Sequence, residues 1–513
     1  MGFGLYAVAE TAMSIVPKSF ELGKYGAFLS KAGDALPLLV SFVLALLCIF
    51  LRVRGSSKEV LCALMYSASS SAVLISSDLI TIVIGFEFMA LAAMFLIASG
   101  GCEGRKIAFL HYACMHFFSG ALLLVGACQY AYSGYLEGLP MVFFMIGLLI
   151  NAAAFPMSSW LISAYPRASR FGMPVLSLFT TKVAMYFLLK MFAGEPIVLV
   201  AGILTAAYAV VSSFVETNVR RLVSYGIIGQ VGIVLMSIGC NGIPADVIMA
   251  QMVFSVLYQL LFILIADSVV MRSAQTDLDK MVGSIRIGSI EFVGCLVAVL
   301  NIGACPGTAS FVAKALMLHM DLESTGYFVL KYVQPVLVLL LFASVALKFF
   351  WFCVLRAHTS SKLKTSEGFL AGTSTVILSL SLIILGLIYG QGILFSEPKF
   401  VYTLHDVGAK LALISAVILC FFLFRSKFLG CSSATSVESW VQGVFLSVRE
   451  RLDRGLWRIK PSSQVVAGRN GVPGVFICGC DTVSLSTSPS GIITSTLLLV
   501  MLSICVVLVW FYV

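Results

Sequence analysis

Charge is what this chain has least of. Only 11% of its 513 residues are Asp, Glu, Lys or Arg, against 60% hydrophobic residues, and the mean hydropathy is +1.03. So little polar surface cannot cover a soluble globule, which excludes a water-borne enzyme. The chain also lacks a metal-ligand cluster, a glycine-rich phosphate loop and a nucleophile motif, so neither a cofactor nor a metal is expected. The first 35 residues hold no basic leader followed by an apolar core and a small-residue cleavage site, and a cleaved signal peptide is not expected. The 14 cysteines are scattered, many within apolar runs as at Cys114, Cys295 and Cys505, where cysteine serves as a small apolar residue. Cys478 and Cys480 are closely paired, and C-x-C alone is a weak metal or redox signal.

What is present is hydrophobic length. A run of about 17–25 apolar residues spans a hydrocarbon core. Such runs fall at 36–53, 59–75, 79–99, 107–133, 138–161, 172–192, 196–214, 222–240, 245–271, 288–320, 327–353, 369–391, 407–425 and 491–512. The expected fold is an all-α polytopic membrane protein of about fourteen transmembrane helices. Basic residues should gather in every second connection, on the cytoplasmic side. They do so after the odd-numbered spans: Arg52, Arg54 and Lys58; Arg105 and Lys106; Arg167 and Arg170; Arg220 and Arg221; Arg272, Lys280 and Arg286; Arg356, Lys362 and Lys364; Arg425 and Lys427. The exceptions are Lys399 and the helix-end residues Lys190, Lys331 and Lys410. This alternation places both termini outside the cytoplasm and accounts for most of the net charge of +9, so nucleic acid is not an expected partner.

Spans two to six and seven to eleven each hold five helices, and an odd number makes the second block cross the membrane in the opposite sense. The expected organisation is an N-terminal segment and first helix (1–58), two inverted five-helix repeats (59–192 and 193–356), two further helices (357–425), a cytoplasmic amphipathic and loop segment (426–490) and a C-terminal helix (491–513). The fourth helix of each repeat is interrupted by proline, at Pro156 and Pro306. Matched breaks of this kind point to an intramembrane ion or substrate site, because freed backbone groups must line protein or water. In 426–490, Trp440, Val444, Val448, Leu452 and Trp457 lie opposite Arg449, Arg451, Arg454, Arg458 and Lys460. That pattern suits a helix on the inner leaflet or one docked on a partner subunit.

A charged side chain at the bilayer centre costs roughly 3 kcal/mol even on lenient scales, so such residues are functional candidates. Glu87 is more than six residues from either end of the third span; Lys182 is central in the sixth; Lys314 follows the break in the tenth. Lys348, near the cytoplasmic end of the eleventh, is expected to snorkel to the headgroups, with a place in the ion pathway as the alternative. Arg220 and Arg221 open the eighth span, either as positive-inside anchors or as part of a polar axis. His111 and His116 lie on the fourth span; Gln251, Ser255, Gln259 and Asp267 lie on the ninth. The first three of these recur at i, i+4 and i+8, a single stripe that can hold a water chain or bond a neighbouring helix.

Several strings then carry a family likeness: DLITIVIGFEFMAL with Glu87, AAAFPMSSWLISAY, TKVAMYFLLK with Lys182, NVRRLVSYGIIGQVGIVLM, and ACPGTASFVAKALML with Lys314. They resemble the proton-translocating antiporter-like subunits shared by respiratory complex I, membrane-bound hydrogenases and multisubunit cation/proton antiporters. TKVAMY leans toward the D-type subunits of the multisubunit antiporters. The resemblance implies a proton row through Glu87, Lys182, the Gln251/Ser255/Gln259 stripe and Lys314, biased by Arg220 or Arg221. It implies other membrane subunits as partners within the cell inner membrane, with protons, and in the antiporter branch sodium, as the ions. The chain departs from the pattern in three places. Asn151 stands where the family usually carries a lysine paired with the glutamate corresponding to Glu87. Gln251, Ser255 and Gln259 stand where it usually carries histidines and a lysine, and amides cannot alternate between charged and neutral forms near pH 7. Glu87 follows two helices rather than about four, so one or two leading helices are expected to be absent. Two readings stay open: an ion-translocating subunit, or a structural subunit that kept the fold and lost transport. An oxidoreductase label would describe the assembly, since nothing here could bind a nicotinamide, flavin or cluster.

Overall fold

The computed structural model describes residues 32–101, 104–278, 280–281, 288–318, 324–355, 369–390 and 404–424. The expected segment at 426–490, the Cys478/Cys480 pair and the C-terminal span at 491–512 lie outside the described residues. Among the described residues all regular structure is helical, apart from one isolated bridge between Asn218 and Asp277. The helices are α1 (Leu36–Arg52), α2 (Ser57–Ile75), α3 (Leu79–Ala98), α4 (Arg105–Ser133), α5 (Gly138–Asn151), α6 (Ser159–Ala164), α7 (Gly172–Leu178) and α8 (Thr180–Met191). They continue as α9 (Pro196–Val215), α10 (Val219–Ile238), α11 (Ala245–Ser273), α12 (Ser289–Ile302) and α13 (Ala309–Leu318). The last three are α14 (Gly326–Leu355), α15 (Phe369–Gly390) and α16 (Leu404–Phe424).

Local signals set several of the boundaries. Ser56 and Glu59 form a reciprocal capping box at the start of α2, Asp78 accepts from Thr81 N at the start of α3, and Asn218 accepts from Arg220 N and Arg221 N at the start of α10. α4 ends at Gly134, whose φ of 75° is the left-handed conformation that closes helices.

Ten helices among the described residues are long and apolar enough to cross a membrane, with α7 and α8 together making one of them. The difference from the fourteen expected has a structural cause. Two of the expected spans are each divided into shorter pieces, α5 with α6 and α12 with α13; the thirteenth is the shorter apolar helix α16; the fourteenth lies outside the described residues. α7–α8 and α11 are buried along their whole apolar length and stand at the centre. Peripheral helices turn large apolar side chains outward, as α3 does with Ile84, Phe88 and Phe95. That is the pattern of helices facing hydrocarbon, where the exposed face need not be polar.

The two proline-marked breaks are built alike. At the end of α5, Ala152 N donates to Leu148 O, Ala153 N to Ile150 O and Ala154 N to Leu149 O. At the end of α12, Gly303 N donates to Val299 O, Ala304 N to Asn301 O and Cys305 N to Leu300 O. In each, an alanine takes the left-handed conformation, Ala153 at φ 61° and Ala304 at φ 49°. An L-residue there costs on the order of 1–2 kcal/mol, so surrounding contacts must hold it. They do: Trp160 Nε1 donates to Ile150 O at 3.0 Å, Phe155 N donates to Thr205 Oγ at 2.9 Å, and at the second break Asn301 Oδ1 accepts from Ser310 N at 3.4 Å.

A third interruption was not legible in the sequence. The sixth span is divided at Phe179 (φ −98°, ψ −71°), three residues before Lys182. Two tyrosines take over the groups that would have paired across the turn. Tyr66 OH accepts from Thr180 N at 3.3 Å, and Tyr165 OH donates to Leu176 O at 2.7 Å. Side chains inserted into a helical ladder are a standard cause of such a kink.

Lys348 corrects an expectation. It does not snorkel: it is 0% exposed, and its Nζ donates to Ser213 O (3.2 Å), Phe214 O (2.8 Å) and Glu216 O (2.7 Å). Its three protons meet three carbonyls at the C-terminus of α9, the negative end of that helix. The site is too enclosed for the amine to reach headgroups. Replacing it with methionine removes these donors from buried carbonyls, and such losses cost about 1–3 kcal/mol each. K348M is therefore expected to lower the heat-inactivation midpoint of the detergent-solubilised protein, followed by fluorescence-detected size exclusion, by several degrees. An unchanged midpoint would refute the capping role.

Candidate functional site

The central pair of helices brings Lys182 to α11. Lys182 is 1% exposed, and its Nζ donates to Gln259 Oε1 at 2.8 Å and to Ser177 O, beside the Phe179 break, at 3.4 Å. Both partners are neutral oxygens, and among the described residues no carboxylate pairs with this amine. Lys314, on α13 just past the second break, likewise rests on a hydroxyl, donating to Ser310 Oγ at 3.0 Å.

Lys182 meets the middle of α11. The expected stripe on it splits by partner. Gln259 receives Lys182; Gln251 Oε1 accepts from Ser237 Oγ at 3.0 Å; Ser255 turns its hydroxyl back onto Met252 O at 2.7 Å. The link toward Lys314 comes from Tyr258, one residue off the stripe. Its OH donates to Gln230 Oε1 at 2.7 Å, and Ser310, the partner of Lys314, lies beside the same phenol. Gln230 and Gln259 both line a cavity of about 10 Å³ walled by Val223, Ile227, Ile263 and Ile302. Its exposed wall is apolar. Gln230 Nε2 is buried without a hydrogen-bond partner.

No ion pair joins Glu87 to Lys182 or Lys314 among the described residues. Its carboxylate lies directly against Gly120 of α4: a Cβ on Gly120 would come 1.6 Å from Glu87 Oε1. One turn away on α4, His116 Nδ1 is 2.8 Å from Asn151 Oδ1, and Asn151 Nδ2 donates to Ser119 Oγ at 2.5 Å and Gly147 O at 3.2 Å. Asn151 thus serves His116 and not Glu87. His111 bonds Ser163 Oγ at 2.9 Å and Ser159 Oγ at 3.3 Å, fastening α4 to α6.

The arginines meet carboxylates at the end of α11. Arg220 donates to Asp267 Oδ1 (2.8 Å) and to Ala168 O (2.9 Å), and Arg170 Nε donates to Asp267 Oδ2 (2.8 Å). Arg221 pairs with Glu216 at 2.9 Å. Neither arginine contacts Glu87, Lys182 or Lys314, although Asp267 lies two turns beyond Gln259 on one face of α11. A separate buried cluster joins Glu291 of α12 to Arg52 of α1 and Arg272 of α11, each at 2.6 Å.

Residues 76–338, just over half the chain, match the family described as NADH:quinone oxidoreductase/Mrp antiporter, TM. The chain belongs to this family. Among its relatives, the D subunit of the Na(+)/H(+) antiporter of Alkalihalophilus pseudofirmus is 23% identical over 368 residues, covering 64% of this chain and 71% of that one. The NADH-quinone oxidoreductase subunit N 2 of Solibacter usitatus is 26% identical over 372 residues, covering 64% and 73%. In fold, the chain resembles a chain of the Mrp complex from Dietzia sp. with a TM-score of 0.60 at 16% identity, covering 76% of this chain and 85% of that one. It is a multi-pass membrane protein whose structural neighbours are multisubunit membrane complexes.

The family match contains both breaks, Glu87, Lys182, Arg220, Arg221, the α11 residues and Lys314, while Lys348 lies beyond it. Sequence reading missed Tyr258, Gln230 and the Asn151–His116 pair. Gln230 had a signal, being the glutamine of the RRLVSYGIIGQVG string; Tyr258 had none, since a tyrosine beside a polar stripe is unremarkable. The Arg52–Glu291 pair is separated by 239 residues and carries no local pattern. The absence of a side chain at Gly120 makes room for Glu87. G120A is expected to destabilise the chain by about 1–3 kcal/mol, as overpacking does, read as a lowered heat-inactivation midpoint. E87A in the same chain should restore the midpoint, and failure to do so would show that the carboxylate is not what the methyl displaces.

Proposed function

We propose that this chain is an ion-translocating membrane subunit of a multisubunit cation/proton antiporter or related proton-pumping complex, moving protons along a buried axis. The observation that carries this reading is the state of the two lysines. Lys182 and Lys314 each donate to neutral oxygens, Lys182 to Gln259 and Ser177 O and Lys314 to Ser310 Oγ. A permanently charged, unpaired ammonium in such surroundings is costly, whereas an amine keeps the same hydrogen bond whether or not it carries its extra proton. Groups of this kind can take up and release protons without losing their place.

The path runs from Glu87 to Lys182, through Gln259 to the cavity it shares with Gln230, then by Tyr258 and Ser310 to Lys314. Gln251 contributes by tying α11 to Ser237 of α10, and Arg220 and Arg221 by anchoring that end of the bundle through Asp267 and Glu216. In the reading proposed, the chain lies in the cell inner membrane with both termini on the non-cytoplasmic side, and protons, with sodium in the antiporter branch, are the ions moved. Asn151 favours a second reading, a subunit that keeps the fold for assembly and has lost transport.

The test uses the assembled complex purified through a tag on this chain and reconstituted into vesicles, with proton movement followed by a pH-sensitive dye. K314A and E87Q are each expected to reduce transport at least tenfold while the complex assembles, and Y258F to reduce it severalfold. Full transport by a complex in which Glu87, Lys182 and Lys314 are all neutralised would establish the second reading instead.

A further inference from the structure

Asn151 leaves the first break without a titratable group on its own helix, and the hydrogen bonds around it define the state of its neighbour. Ser119 Oγ donates its single proton to Gly147 O at 2.8 Å, so it can only accept from Asn151 Nδ2 at 2.5 Å. That orients the amide, placing Oδ1, an acceptor, 2.8 Å from His116 Nδ1. Nδ1 must therefore carry a proton, and in the neutral ring Nε2 is then a bare base. His116 is 3% exposed, and Nε2 has no hydrogen-bond partner. Packing alone does not explain an imidazole here. The ring lies between Tyr112, at a centroid distance of 4.0 Å, and Trp160, at 4.6 Å, and a phenyl ring would stack there without burying a bare nitrogen. Its titratable neighbours are Tyr112 on the same helix and Glu87, whose carboxylate lies against Gly120 one turn along α4. The ring leans over Tyr112, one turn toward the start of α4, so an exchange with Glu87 has to run through intervening water.

We propose that His116 Nε2 is the proton acceptor of the first break, exchanging a proton with Glu87 where the broken helix itself offers only an amide. In the forward step the Glu87 O–H bond breaks and an N–H bond forms at Nε2, each intervening water giving up a proton as it takes one. Carboxylate and imidazolium appear together and offset each other, and the return step erases both. Asn151 is then a positioning residue: it holds Nδ1 and so keeps Nε2 as the open base. The inference rests on the transport reading above.

The experiment compares variants in the reconstituted complex, with co-purification of the other subunits as the assembly control. H116Q keeps a polar side chain that cannot titrate and is expected to lose transport at least tenfold. H116Q/N151K, which returns a titratable group to the break, is expected to recover much of it. Full transport by H116Q, in a complex where E87Q and K314A abolish it, overturns the role of His116 and leaves the transport reading standing; full transport by all three overturns both. Loss in H116Q that N151K does not rescue also overturns it, because a packing role suffices. Should H116Q not assemble, N151L/H116F removes both polar partners together: assembly with transport lost supports the proposal, and assembly with full transport overturns it.

Discussion

Hydrocarbon offers no hydrogen bonds, so every backbone group released by an interrupted helix must find its partner inside the protein. Most of the distinctive features of this chain answer that demand. At the first break, Trp160 covers Ile150 O and Thr205 covers Phe155 N. At Phe179, Tyr66 and Tyr165 divide between them a donor and an acceptor that an unbroken helix would have joined. At the end of α9, Lys348 closes three carbonyls with one ammonium. The same requirement acts on side chains, and it explains why Asn151, Ser119 and His116 form a linked set rather than three isolated polar residues.

These repairs also lie close to the buried titratable side chains. Each interruption lies within a few residues of a titratable side chain or its partner: Asn151 with His116 at the first, Lys182 just past Phe179, Lys314 just past Pro306. A helix that runs unbroken through the bilayer has no backbone polarity to share with such a group. An interrupted one brings carbonyls, amides and short polar side chains to the same depth, which is where a lysine in an apolar interior can be solvated by protein. The helix α11 then serves as the common wall. Its Gln259 receives Lys182, its Tyr258 donates to Gln230, and Gln259 and Gln230 border one small cavity.

The carboxylates are used differently. Asp267 and Glu291 are each held by two arginines near the ends of helices, and they tie together α1, α10, α11, α12 and the loop carrying Arg170. Glu87 has no such clamp among the described residues. A carboxylate locked between arginines is a structural fastener, because losing its charge would leave both guanidinium groups without their partner; a carboxylate lying against a glycine is held by shape alone and keeps its oxygens available.

Hydropathy and the alternation of basic loops were enough to reveal an all-α chain of many spans, since those signals depend on a bilayer that acts on each helix separately. The breaks at Pro156 and Pro306 were legible for a related reason: proline and its neighbours dictate local backbone geometry. The candidate residues Glu87, Lys182 and Lys314 were legible because ionisable groups in apolar runs are conspicuous. Partnership was not. That Lys182 meets Gln259, that Asn151 meets His116, that Lys348 caps α9 and that two tyrosines open the sixth span all depend on contacts between helices distant in sequence. Such contacts follow from how the bundle packs, and packing is decided by many weak side-chain fits whose sum only the assembled structure contains.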